Sequence, residues 1–145
     1  MYLLDTNVVS MLDPRRQAQA PALVAWLTEN GYRLFLSVIT ITDLEAGALK
    51  LRREGKADRA VEIERLVADV AQQFADRVLP VDIETARLVA RLAEAVHQQP
   101  VALPDLLIAA TAQRRGLTVV TRNVRDFGRL GIPVIDPWNA LPGDA

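Results

Sequence analysis

The sequence predicts an α/β fold built on a mainly parallel sheet of four or five strands, and three observations carry that expectation. Short apolar β-type runs alternate with longer segments of helical period along the chain. Half of the 145 residues are apolar, which suits one domain with a full core and leaves too little chain for a second. The first run, Tyr2–Leu4, is apolar without a break and stops on Asp5, the pattern of a parallel strand covered on both faces.

The elements follow in order. After Asp5 a short helix is expected to carry Val8, Val9, Met11 and Leu12 and to stop near Asp13-Pro14, because the residue before a proline disfavours helical geometry. Pro21 suits the first turn of the next helix, which runs to Asn30-Gly31, a stop signal. Residues 34–37, Leu-Phe-Leu-Ser, read as the second strand, and Thr40 or Thr42 opens the helix after it. Ile41, Leu44, Ala48 and Leu51 recur at helical spacing up to Glu54-Gly55. Asp58 restarts a charged helix with Ile63, Leu66, Val67 and Val70 on one face, so these two helices should pair as a hairpin.

Residues 78–81 form a strand-like fragment, followed by a helix over about 84–98 with Ala86, Val89, Ala90, Ala93 and Val96 inward and Pro100 closing it. Pro104 occupies a first-turn position of the helix through Arg115, Gly116 ends that helix, and 117–121 is the fourth strand. A last run at 133–135 adds an edge strand. The domain is expected to span 1–140, with 141–145 as a frayed tail and Trp138 either docking that tail on the core or lining an interface.

Composition excludes several classes. A formal charge of -1 and a pI near 5.8 give no global positive field for adhesion to nucleic acid or anionic lipid, so contact with phosphate must be local. The absence of cysteine removes disulfides, thiolate nucleophiles and cysteine-based zinc sites. No stretch approaches the roughly 20 apolar residues that cross a bilayer. The expected location is the cytoplasm.

Acids recur at element ends. Asp5 follows the first strand, Asp43 starts the helix after the second, and Asp105 starts the helix before the fourth. After the fourth strand, TRNVRDF puts Asn123 and Asp126 where Asp5 stands after the first. Such residues are also good helix caps, but in a parallel sheet these ends share one edge and can converge. Like charges a few ångströms apart repel by roughly 1 kcal/mol in water and by more when desolvated, which raises a pKa or calls for a cation. Carboxylates, an amide and hydroxyls offer only oxygen, so the expected ion is magnesium, with manganese as a substitute. His97, the one histidine, is expected at a helix end without catalytic duty, which leaves phosphoryl-transfer chemistry to metal. Arg114, Arg115, Arg122, Arg125 and Arg129 cluster in the last third, where guanidinium groups either meet phosphate or remain solvated.

DTN after the first strand, SVITITDLEAG, LPDLLIAATAQRRGLTVVTRNVRDF and the closing IDPW stand in an order that resembles PIN-domain ribonucleases of the VapC toxin type, especially the FitB-like subgroup. The resemblance covers nearly the whole chain. It implies a three-layer α/β/α PIN fold, magnesium-dependent endoribonuclease activity on an RNA substrate, a homodimer, and a cognate VapB-like antitoxin through which operator DNA is bound. It places Asp5 and Asp105 as the metal-binding acids and Asp43 in a position usually held by glutamate, with Glu45 as the alternative. Asn123 stands where close relatives have aspartate, and other members use the acid three positions on, here Asp126. Thr6, Asn7, Thr121 and Arg122, beside these side chains, are expected to contact substrate.

Other readings are weighed against this one. A dehalogenase-like phosphatase needs a second aspartate where Asn7 stands, and a receiver domain needs a lysine after a late strand, whereas Lys50 and Lys56 lie in the middle helices. A PIN scaffold with a weakened metal site, binding antitoxin or RNA without cutting, stays open. The apolar faces between residues 40 and 98 serve hairpin packing or, alternatively, a dimer or antitoxin groove.

Overall fold

The computed structural model describes residues 1–143. β1 (Tyr2–Leu4) is central and pairs in parallel with β2 (Leu34–Ser37) on one side and β4 (Thr118–Val120) on the other. β3 (Val78–Leu79) extends the sheet beyond β2, and β5 (Val134–Ile135) forms the far edge beside β4. Among the described residues the order is β3-β2-β1-β4-β5 with every pairing parallel, as the alternating pattern predicts.

Period-two alternation of side chains divides the core into two layers. Leu3 and Val119 point to one face, where they pack with Leu88, Val89 and Leu92 of α5 (Ile83–Ala95), Ile108 and Ala109 of α6 (Leu103–Arg115) and Phe127 of α7 (Val124–Arg129). Leu4, Leu34, Leu36 and Val120 point to the other. They meet Val8 and Val9 of α1 (Thr6–Val9), Leu23 and Leu27 of α2 (Pro21–Glu29), Leu44 of α3 (Val38–Arg53), and Leu66 and Val70 of α4 (Ala57–Gln73). Leu3 and Leu4 are both fully buried, one per layer, and each contributes about 1.5–3 kcal/mol of hydrophobic stabilisation. The result is the three-layer α/β/α arrangement.

Several boundaries differ from expectation for local reasons. α3 opens at Val38 and not at Thr40 or Thr42, because the Ser37 hydroxyl at the strand exit accepts the Ile39 N–H at 3.0 Å and caps the helix. The α3–α4 hairpin forms as expected, turning on Gly55 at φ 77°, but α4 starts at Ala57 with Asp58 already in its first turn. α5 is capped by Asp82, which accepts from Thr85 N–H at 2.9 Å and so sets the phase of the helix. Thr85, Leu88, Val89 and Leu92 face inward, while Ala86 and Ala90 are exposed, since the leucines bring more apolar area than the alanines. The helix also ends at Ala95, short of Gln98.

The expected fraying from 141 is not what the chain does up to its last described residues. Leu141 packs against the second core layer, and the Pro142 carbonyl accepts a 3.1 Å hydrogen bond from Trp26 Nε1. Residues 144–145 of that tail lie outside the described residues. No helix among the described residues is long and apolar enough to cross a membrane.

Candidate functional site

α6 ends where β4 begins, so its N-terminus and Asp105 return to the edge at which β1 and β4 exit and α3 opens. Asp5 leaves β1 while still in the ladder, its N–H bonding Val120 O at 3.0 Å, and then caps α1 by accepting Thr6 N–H at 2.8 Å. Its other oxygen accepts the Thr121 hydroxyl at 2.7 Å and Asn7 Nδ2 at 3.4 Å. The side chain is 6% exposed. Burial pushes its pKa up, the Thr121 and Thr6 hydrogen bonds pull it down, and the Asp43 charge pushes it up again; the net direction is upward.

Asp43 lies in the second turn of α3, further into the helix than expected, and accepts the Thr6 hydroxyl at 2.8 Å. Asp105, in the first turn of α6, accepts Asn123 Nδ2 at 3.3 Å. Burial, followed by the charges of Asp5, Asp126 and Asp43, raises the Asp105 carboxyl to about 6. The same Asn123 amide reaches Asp126 at 3.1 Å. Asp126, 3.6 Å from Arg129, thus stands behind Asn123, and Asn123 faces the cavity. Glu45 is exposed, since it projects from a different side of α3.

A cavity of about 530 Å³ collects Asp5, Asp43, Asp105, Thr6, Asn7 and Asn123, together with Arg122. The lining also includes Arg16 and Gln19, which sequence patterning does not single out, and Trp138, which it places at the tail without assigning it to this site. They come from the irregular turn after α1 and from the segment after β5, where no period marks a direction. A second cavity of the same volume lies against α2 and α4. Its acids differ in kind: burial pushes the Asp13 carboxyl up, but Arg59, the Arg15 N–H and Arg16 outweigh it and hold it below its ordinary value. Convergent carboxylates with raised pKa values, and not cavity size, mark the functional site.

Thr121 is a correction. It is fully buried, and its hydroxyl donates to Asp5 while accepting Asn123 N–H at 2.9 Å and Asn7 Nδ2 at 3.3 Å. It holds Asp5 and has no surface to offer a substrate. The arginine cluster also divides. Arg114 pairs with Asp82 at 2.7 Å, where the Thr85 N–H and hydroxyl and then Arg114 hold that carboxyl at about 2. Arg129 bonds Gln99 O at 2.5 Å, and of the five only Arg122 faces the cavity. His97 sits past the end of α5, exposed, with Nδ1 2.9 Å from Glu94 O and away from the acids.

The ligating atoms facing this cavity are carboxylate, amide and hydroxyl oxygens, a donor set that fits a hard divalent cation and not zinc or copper. Among the described residues no three acids or histidines stand close enough to chelate an ion by themselves.

Fold and acidic edge together define a class: the PIN domain matches residues 2–133, and the chain belongs to the PIN-domain family. Within that family it is similar to Toxin FitB of Neisseria gonorrhoeae, 36% identical over 142 residues, covering 96% of this chain and 99% of that one. It is also similar to the VapC ribonuclease Y4jK of Sinorhizobium fredii, 37% identical over 144 residues and covering 95% and 98%. The crystal structure of FitAcB from Neisseria gonorrhoeae superposes with a TM-score of 0.77 at 36% identity, over 95% of this chain and 99% of that one. Other solved structures of this fold are VapBC toxin–antitoxin complexes, one of them bound to promoter DNA.

Proposed function

We propose that this chain is a magnesium-dependent endoribonuclease and the toxin of a type II toxin–antitoxin pair. The observation that carries the proposal is the convergence of Asp5, Asp43 and Asp105 on one cavity, where burial first, and then the charges of Asp5, Asp126 and Asp43, raise the Asp105 carboxyl to about 6. Similarity to proteins named as a toxin and as a VapC ribonuclease supports the same reading.

Asp5 and Asp105 would hold the ion. When bound, magnesium or manganese supplies an activated water and neutralises charge developing on the scissile phosphate. The chain's own part is positional. Thr121 and the Thr6 N–H fix the Asp5 carboxylate, the Thr6 hydroxyl turns Asp43 toward the cavity, and the Asn123 amide donates to both Asp105 and Asp126 and so holds Asp105 in place. Arg122, at the rim, meets the phosphate backbone of an RNA strand. We infer as partners a VapB-like antitoxin, operator DNA reached only through it, and a second copy of this chain, in the cytoplasm; the VapBC toxin–antitoxin complexes and the promoter-DNA complex among the similar structures support the first two.

Cleavage of RNA by the purified chain in magnesium against EDTA tests the proposal. Expected are cuts in magnesium only, lost in Asp5→Asn and in Asp105→Asn. A second reading, an antitoxin- or RNA-binding scaffold with a weakened site, draws on the amide of Asn123 among the acids. It requires that magnesium change neither cleavage nor melting temperature.

A further inference from the structure

The Asp136-Pro137-Trp138 segment does more than close the fold. It leaves β5 at the edge where β1 and β4 also end. Asp136 builds the turn: its Oδ1 accepts the Trp138 N–H at 2.9 Å, its carbonyl accepts from Asn139 and Ala140 at 3.1 Å each, and Pro137 is buried beneath. This turn presents the half-buried Trp138 ring to the rim of the acidic cavity, where the Arg122 guanidinium carbon lies 3.8 Å from the ring centroid. The Arg122 backbone is fixed from the other side, its N–H donating to Asn7 Oδ1 at 3.3 Å. Among the described residues the Arg122 side chain makes no ion pair or hydrogen bond, unlike Arg114 and Arg129. A guanidinium held over an indole ring by cation–π attraction spends none of its N–H donors on that contact and keeps them for an incoming anion.

We propose that Trp138 is a positioning residue that holds the Arg122 guanidinium at the mouth of the acidic cavity, where it clamps a backbone phosphate of a bound single RNA strand. The proposal rests on the nuclease reading for its choice of ligand. In the free chain the cation also sits within the field of the cavity carboxylates, and the indole keeps it from folding in among them.

Binding of an unstructured oligoribonucleotide to the full chain, followed by fluorescence anisotropy in EDTA across a salt series, tests this without requiring cleavage. Arg122→Gln and Trp138→Leu, which keeps apolar bulk but no π face, are each expected to weaken binding about fivefold at low salt. Each should also make the salt slope shallower by about 0.7, the share of one phosphate on a single strand. Trp138→Phe should stay near the parent, and the double variant should match Arg122→Gln alone. A Trp138→Leu chain with the parent salt slope, or a double variant whose loss is the product of the two singles, overturns the proposal. In the unaltered chain, the ring current of the indole should shift the Arg122 side-chain protons upfield in NMR, and those signals should move on adding the oligomer; signals that do not respond overturn it as well. A chain that binds the oligomer but never cuts it in magnesium overturns the nuclease reading alone, and one that binds no RNA overturns both.

Discussion

Asp105 keeps its proton to about pH 6 because burial and the neighbouring charges of Asp5, Asp126 and Asp43 oppose its ionisation. Its folded pKa lies above the 3.8 of the unfolded chain, so between those values the native state holds the proton that the unfolded state has lost. Stability of the metal-free chain is therefore expected to fall as pH rises through that window, with the penalty fully present above 6. Differential scanning fluorimetry should show a lower Tm at pH 7.5 than at pH 5, and Asp105→Asn should flatten the difference. Thr121→Val removes a buried donor to Asp5 and is expected to cost about 1–3 kcal/mol in chemical denaturation. Because that hydrogen bond lowers the Asp5 pKa, its loss should also move the acid limb of the pH–rate profile to higher pH. Glu45→Gln, at an exposed position, should leave cleavage unchanged where Asp43→Asn lowers it. Asp5 and Asp105 were legible because an acid directly after a strand or at a helix start has a fixed place in a parallel sheet. The burial of Thr121 was not, since a hydroxyl at the same kind of position serves as readily outward as inward.

Single side-chain caps, Asp5, Ser37 and Asp82, set where α1, α3 and α5 start. Ser37 starts α3 at Val38 and thereby brings Asp43 round to Thr6, so Ser37→Ala is expected to cost about 0.5–2 kcal/mol. Gly116 ends α6 at φ 65°, a left-handed conformation that disfavours any Cβ, and Gly116→Ala should cost about 1–2 kcal/mol, read for both variants by urea titration. Proline and glycine signals gave the limits of α2 and α6 in advance, because those residues act through their own backbone. The inward face of α5 was legible in part: Val89 is buried and Ala93 and Val96 pack against the core as expected, but Ala86 and Ala90 are exposed while Leu88 and Leu92 turn inward, because the phase of the helix depends on Asp82 holding the Thr85 N–H.

For the molecule as a whole, two helix layers hold the sheet so that acids from far-apart parts of the chain are fixed at one edge with like charges facing each other. A cation that binds only this folded arrangement must stabilise it, and magnesium at a hundredfold over its Kd is expected to add about 2.7 kcal/mol. A rise in Tm on adding magnesium at pH 7.5, absent in the Asp105→Asn chain, is the measurement. The sequence alone determined the fold class, the elements in order and the acids at their ends, because hydrophobic period, proline and glycine stops and strand exits are written in short stretches of chain. Only the tertiary structure decided that Thr121 serves Asp5, that Asn123 stands between Asp105 and Asp126, and that Trp138 lies beneath Arg122. Those contacts join residues brought together by crossover connections, whose directions depend on the packing of the whole core and not on any local pattern.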